Sequence, residues 1–443
     1  MQFQESKTQA KMWKCFFMKK DNAWLICFIA SLFFFYEFMQ MSVFNAIGTQ
    51  LLKDFSIRVT SLAGIAAAYS YSMVLFLLPA GILLDLFSPK KIIVMAFSLS
   101  VIGTFLFSFA TTPLYAECCR MISGIGGAFA FLSCIKLATR WFPGNKMSLV
   151  IGLIITLAFL GGAVAQTPFT LLTQKIGWKD TLRILASCGI LFISLILLFV
   201  KDNVDNNCSI KILAGKNNKT PFFKRVFVSL SNLQTWLGAI YIMLMNLPIV
   251  LLGTLWGDLY LTEVKNFTHI QASYIDTMLF VGIMIGSPLF GFISDKISRR
   301  KIPLAVGSFL TLSSSFLLFF HFTSVQAYII LFFLLGLFSS AQGVGYPSVV
   351  ENNVVELSGT VSGIASIIIM GGGAFFKILY GWMLDKNWNG VMINKIPYYS
   401  HHDFNIAMTI LPISFFLSLC SILFIRETFC QRVVNQENDP IKN

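Results

Sequence analysis

Apolar runs of about twenty residues follow one another along this chain, separated mostly by connections too short to fold on their own, and that spacing leaves few architectures open. Of the 443 residues, 56% are hydrophobic and 12% are charged, against about 25% charged in soluble domains. No aqueous fold hides so much apolar surface. A hydrocarbon core about 30 Å thick takes roughly 20 residues per helix. Twelve such runs are read at 23–46, 60–84, 92–111, 115–139, 146–172, 179–200, 235–261, 272–294, 302–322, 325–349, 360–384 and 404–425. The expected fold class is an all-α polytopic membrane protein with twelve transmembrane helices.

Charge orients the spans. The apolar stretch from Ala23 is too long for a cleaved secretion signal and lacks a small-residue cleavage pattern, so the first helix is expected to stay. Lys7, Lys11, Lys14, Lys19 and Lys20 precede it, and the tendency of cytoplasmic loops to collect Lys and Arg holds that end inside. An even number of spans then puts both ends inside. The net charge of +13 follows from this topology and from attraction to an anionic inner leaflet, with no nucleic-acid partner implied. The one long polar connection divides the chain. The expected segments are a cytoplasmic N-terminal segment 1–22, an N-terminal six-helix bundle 23–200, a cytoplasmic central loop 201–234, a C-terminal six-helix bundle 235–425 and a cytoplasmic tail 426–443. Within the central loop, Pro221 to Leu230 reads either as a short helix on the inner surface or as ordinary linker.

Other chemistries find little support. The nine cysteines are scattered without metal-type spacing, and His269, His321, His401 and His402 do not fall at a metal-binding helical spacing. No G-x-x-x-x-G-K-(S/T) loop is present to hold a nucleotide. The expectation is therefore no cofactor, no metal site, no ATP drive and no enzymatic activity. The triplet Asn266-Phe267-Thr268 is a glycan acceptor only if the chain passes through a eukaryotic secretory compartment. With short connections, function has to sit inside the bundle.

The segment GILLDLFSPKK from Gly81 to Lys91 returns as GFISDKISRRK from Gly291 to Lys301, 210 residues later. Gly, Asp, Ser and a terminal basic pair recur at the same offsets, each time between two apolar runs. Internal repetition around a midplane site is the architecture expected of secondary transporters. The pattern resembles the loop signature of the major facilitator superfamily, G-x-x-x-D-x-x-G-(R/K)-x-(R/K). Arg120-Met-Ile-Ser-Gly124-Ile-Gly126-Gly127 in span four resembles that family's R-x-x-x-G-x-G motif, and the resemblance covers nearly the whole chain. It implies two pseudo-symmetric six-helix halves, with gating residues Gly81, Asp85, Lys90 and Lys91 in the first copy and Gly291, Asp295, Arg299 and Arg300 in the second. The family's motif glycine is Ser88 and Ser298 here, and Pro89 stands where a basic residue is usual, so the second loop is expected to be the stronger latch. The family's exporter signature in span five is not met by GGAVAQTP from Gly161 to Pro168. More loosely, Arg120 to Leu153, with its Trp141-Phe142-x-Gly144 turn, is similar to the branch of lysosomal dipeptide carriers and related bacterial nutrient carriers.

Several residues can carry the chemistry. Glu37 stands beside Tyr36 in span one and shares a helix face with Gln40. A charge at the centre of a span costs about 2.5–3.5 kcal/mol on insertion scales. Glu37 is therefore either a cavity-facing carboxylate, binding a proton or a cationic substrate group, or a protonated Glu satisfied by a neighbouring helix. Glu117 and Arg120, three residues apart, can pair, with Gly124 and Gly127 on the same face. Family resemblance marks Arg120 for proton transfer or substrate anchoring, with a structural ion pair as the alternative. Phe338, Gln342 and Tyr346 fall on one face of span ten, and Lys377 and Tyr380 follow Gly371-Gly372-Gly373 in span eleven. Lys377 either receives a substrate carboxylate opposite Glu37 or reaches the outer surface. Asn246 with Pro248, and Gln166 with Pro168, are expected interruptions of spans seven and five that line a water path or serve packing. Trp256 and Trp382 are expected as interface anchors.

The function expected is a secondary transporter that moves a small polar solute by alternating access. An amino acid or short peptide comes first, carried by symport with a proton or another coupling ion. An exporter of drugs or amphiphiles, an organic-anion carrier and a non-transporting solute sensor are the alternatives. The expected setting is the lipid bilayer of a bacterial inner (plasma) membrane, or a lysosomal-type membrane in a eukaryote, with the chain acting as a monomer.

Overall fold

Local signals explain where the spans begin and end. The computed structural model describes the backbone of residues 2–142, 147–200, 222–320, 322–353, 357–393 and 396–431, with most side chains from Ala23 onward. Gly144, residues 201–221, the last twelve residues of the tail and the side chain of Asp85 lie outside the described residues. Span one lies in the helix Gln2–Phe55, longer at both ends than its apolar run. Span two is Val59–Leu86. Span three, Pro89–Phe107, starts at Ser88, whose side chain accepts from the Lys91 N–H, with Pro89 in the first helical turn. Span four begins in the same way at Thr112 and Pro113, and comprises Pro113–Gly127 and Ala130–Trp141.

Spans five and six share one continuous assignment, Met147–Phe199. At about 1.5 Å per residue such a helix would far exceed a bilayer. Gly177, at φ 82° and ψ 166°, breaks it, a backbone conformation that suits glycine because it has no Cβ. Among the described residues, eleven helices are long and apolar enough to cross a membrane, and the one broken at Gly177 is long enough for two crossings. A short helix forms at Phe222–Ser231, where the sequence offered either a helix or a linker.

Span seven is not a uniform helix. Leu233–Met245 is α-helical, Pro248–Trp256 is a π-helix and Gly257–Glu263 returns to α. The break falls at Asn246 and Pro248, as expected. Span five, by contrast, continues through Pro168. Span eight, His269–Ile297, opens with a reciprocal capping box between Thr268 and Gln271. Span nine is Lys301–Phe316. Span ten divides into Val325–Ser339 and Gln342–Glu351. Span eleven is Ser358–Asn387. Span twelve comprises His401–Met408 and Ile410–Phe424. A hairpin pairing Met392–Ile393 with Ile396–Pro397 precedes it.

The fold is all-α and polytopic, with six spans in each half. The halves touch at the end where spans one and two, seven and eight, and eleven and twelve connect, here called the distal end. Thr60 donates its N–H to Asp385 Oδ2 at 3.2 Å, linking spans two and eleven. Arg58 lies 5.2 Å over the Trp388 ring. Towards the opposite, proximal end the contact loosens: a Cβ added at Gly152 of span five or Gly291 of span eight would meet nothing within 4 Å. The halves are thus in contact distally, while these two proximal glycines face open space.

Candidate functional site

Four spans of the first half build a buried polar cluster at mid-depth. Glu37, 2% exposed, accepts a hydrogen bond from Tyr69 Oη on span two at 2.7 Å, while its Oε1 has no partner. Gly127 on span four makes room for this pair, since a Cβ there would strike both the Tyr69 hydroxyl and Glu37 Oε2. Arg120, also on span four, donates to Gln40 Oε1 at 3.3 Å. Its guanidinium lies 4.5 Å over Phe44 and 4.7 Å over Tyr69, both favourable cation–π distances. Gln40 in turn donates to Thr104 Oγ1 at 2.5 Å. Tyr69 therefore presents its hydroxyl to the carboxylate and its ring face to the guanidinium.

The pairing expected between Glu117 and Arg120 does not form. Arg120 points inward to Gln40, while Glu117 stands beside Gly64 of span two. The spacing was right for a pair, but Gln40 and two aromatic faces claim the guanidinium. Tyr36, expected to join Glu37 in the site, is fully buried and packs against Phe97, with its hydroxyl unpartnered.

The second half contributes Lys377. It is 4% exposed, which removes the surface-reaching alternative, and it forms no hydrogen bond or ion pair among the described residues. Arg120 acts on it electrostatically, so the two halves bring cations within electrostatic range of each other. The glycines ahead of it explain the approach: a Cβ at Gly372 would strike Met243 of span seven, and one at Gly371 would come within 4.0 Å of Val74 of span two. One turn further on, Trp256 stacks on Tyr380 at 5.4 Å. Trp256 is fully buried and is not an interface anchor: the π-helix turns it into the bundle. Its Nε1 and the Tyr380 hydroxyl both lack partners. Such orphaned buried groups call for a ligand or water.

Gln342 is buried and Tyr346 half-buried. The helical assignment pauses at Ser340 and Ala341, both still in the right-handed helical region. Lys90 donates to Leu197 O at 2.8 Å within its own half. Arg300 binds Asp295 Oδ1 and Glu351 Oε1, each at 2.7 Å, and Glu427 accepts the N–H groups of Arg300 and Lys301. The second gating loop is thus tied to spans eight and ten and to the tail. Burial works against the Arg300 guanidinium, yet its bonds to Glu351 and Asp295 hold it above its ordinary value.

Sequence reasoning missed the distal seal. Asn45 of span one donates to Asp276 Oδ2 at 2.8 Å and to Leu252 O at 2.9 Å, and its Oδ1 accepts the Asp258 N–H at 3.2 Å. Gln166 of span five donates to Gly253 O at 2.6 Å. Two side chains of the first half thereby hold the π-helical turn of the second. The signal was present: Asp258 and Asp276 are acids inside apolar runs, as Glu37 is, but they lie near span ends, where a charge is unremarkable.

A model of the Major Facilitator Superfamily matches residues 26–377. The lysosomal dipeptide transporter MFSD1 of Danio rerio is 27% identical over 62% of this chain and 62% of its own length. The probable galactarate/D-glucarate transporter GudP of Escherichia coli K12 is 22% identical over 85% of this chain and 90% of its own. In structure, the chain is similar to a bacterial homolog of the human lysosomal transporter Spinster in an inward-facing, unoccupied conformation. That likeness has a TM-score of 0.72 at 15% identity and covers 92% of this chain and 99% of the other.

Proposed function

Given that this chain belongs to the Major Facilitator Superfamily and is a secondary transporter, we propose that it carries a small carboxylate-bearing solute, with an amino acid or short peptide as the first candidate. One observation carries this reading: Arg120 and Lys377, on opposite halves, act on each other electrostatically, and Lys377 has no carboxylate partner among the described residues. Like charges brought together in a buried site repel, and a substrate carboxylate between them relieves that repulsion. Glu37 Oε1, unpartnered beside Arg120, offers a place for an ammonium group. A zwitterion satisfies both ends at once.

A solute bound to both halves also supports alternating access, because it biases how the two halves pack. On the orientation that puts the N-terminus in the cytoplasm, the proximal end faces inward. The dipeptide transporter among the relatives supports a peptide-like solute. A second reading is an organic anion, favoured by the excess of cation over carboxylate at the site and by the galactarate/D-glucarate relative.

Counterflow in proteoliposomes tests both readings. Labelled amino acids or dipeptides should accumulate against an internal pool, and Lys377→Gln should raise the half-saturation concentration about 30-fold, the loss of about 2 kcal/mol expected when a buried charge partner is removed. Glu37→Gln should change the pH dependence of peptide uptake while sparing a dicarboxylate. Uptake unaffected by Lys377→Gln would defeat the proposal, and binding without counterflow would make the protein a sensor.

A further inference from the structure

Span two starts without a cap of its own. Arg58 stands at the N-cap position, extended at φ −83° and ψ 162° as a capping residue is, but its side chain offers no acceptor and no acidic residue follows in the first turn. The Thr60 N–H, at the second helical position, donates instead to Asp385 Oδ2 of the other half at 3.2 Å. Asp385 sits in the last turn of span eleven. A carboxylate is disfavoured at that end of its own helix and favoured against the start of span two. Its second oxygen accepts from Tyr399 Oη at 2.5 Å. The surrounding parts fix this meeting. A Cβ on Gly381, one turn before Asp385, would come within 3.2 Å of Thr60 Cα, so the glycine lets the two helices approach. The Tyr398 N–H and Trp388 Nε1 both donate to Val391 O, at 2.9 and 3.1 Å, which folds the hairpin segment back and brings Tyr399 to Asp385. Arg58 lies over the Trp388 ring, itself 6.1 Å from the Tyr399 ring.

We propose that Asp385 is a positioning residue for the opening and closing of the halves: it caps span two across their contact, so that the first turn of span two is complete only while the distal end is closed. When the halves part, Thr60 loses its acceptor and Asp385 loses its favourable helix end. Each half is then left with a requirement that the other half fills better than water does. One cap biases the closed form by about fivefold in the closed-to-open ratio. Tyr399 holds the carboxylate in place from within its own half, so the clasp is preformed on the side of span eleven and awaits span two. The device needs an acceptor oxygen and no proton, and asparagine at position 385 would serve nearly as well, since it caps about as well as aspartate. This inference rests on alternating access but not on the identity of the solute.

Spin labels on Lys175→Cys and Asn266→Cys, exposed positions of the two halves outside the clasp, report the distal separation in the full chain with native cysteines replaced by serine. Hydrogen exchange at Thr60 reports the cap. In Asp385→Ala the open-to-closed ratio should rise about fivefold and exchange at Thr60 should quicken. Asp385→Asn, which keeps an acceptor oxygen, should stay close to the parent in both. Arg58→Asn gives span two a cap within its own half. In that background Asp385→Ala should leave the ratio and the exchange at Thr60 unchanged, a coupling that an ordinary packing contact would not show. An unchanged distal separation in Asp385→Ala, or a shift of the same size with and without Arg58→Asn, would overturn the clasp. Counterflow of a labelled dipeptide that persists while this coupling is missing would overturn the clasp and leave the carrier reading intact, whereas coupling without counterflow would support the clasp and defeat the carrier.

Discussion

Ser298 ends span eight at φ 51° and ψ 39°, in the left-handed region that costs a side-chain-bearing residue about 1–2 kcal/mol. Its counterpart Ser88 is extended, at φ −63° and ψ 125°, because Pro89 disfavours the helical region for the residue before it. The same serine therefore does opposite work in the two copies of the loop. Ser298→Gly should raise stability by up to about 1 kcal/mol by relieving the backbone, whereas Ser88→Ala should lower it by about 1 kcal/mol through loss of the cap on Lys91. Thermal unfolding of the two purified variants reads the difference directly. Lys377 makes a sharper case at the same scale. An unpartnered buried ammonium is a cost to folding, so Lys377→Met should stabilise the empty protein by about 1–3 kcal/mol while abolishing solute-induced thermal shifts. A variant that is less stable than the parent would mean that the ammonium has a structural partner.

Among the elements, span seven shows what sequence conveys and what it leaves out. Asn246 and Pro248 announced a break, since proline removes a donor from the helical ladder. The π-helical register that follows, and the exposure of the Leu252 and Gly253 carbonyls to another half, depend on Asn45 and Gln166, residues far away in sequence. Gln166→Leu should therefore cost about 1–3 kcal/mol by leaving the Gly253 carbonyl without its donor, and should loosen the distal contact rather than the proximal one. The gating loops were legible as a repeat, but their partners were not: Glu351 and Glu427, which hold Arg300 and the start of span nine, carry no motif. Burial works against the Glu427 carboxylate, but the N–H groups of Arg300, Lys301, Phe429 and Thr428 hold it below the usual value. A depressed folded value gives stability that is fully present above the ordinary Glu range, about 4.3, and is lost as pH falls through the folded value. Amide exchange at Arg300 and Lys301, corrected for intrinsic rates, should rise on acidification, and Glu427→Gln should remove that dependence. With Asp295 engaged by Arg300 and the first loop lacking a basic residue at Pro89, Asp295→Asn should slow transport more than Asp85→Asn.

For the molecule as a whole, the twelve crossings and the division into halves followed from apolar length and the repeated loop, because those depend only on local composition. The state of the bundle did not, because it is set by which faces of the two halves meet. Spans five and eight show the geometry. A Cβ on Gly162 would run into the buried Phe280 ring, whereas one on Gly152, ten residues closer to the proximal end of the same span, would meet nothing. The two glycines should therefore act in opposite directions. Gly162→Ala crowds the distally closed arrangement at an expected cost of about 1–3 kcal/mol, which corresponds to a shift of about 5–150-fold away from that state. Gly152→Val leaves this state untouched and penalises the opposite one, in which rocking of the halves brings the proximal ends of spans five and eight together. Distance measurements across the two ends should show the distal separation growing in Gly162→Ala and the proximal end staying apart in Gly152→Val, with uptake slowed in both. Equal and parallel shifts in the two variants would mean that the halves do not rock about the mid-depth site as rigid bodies.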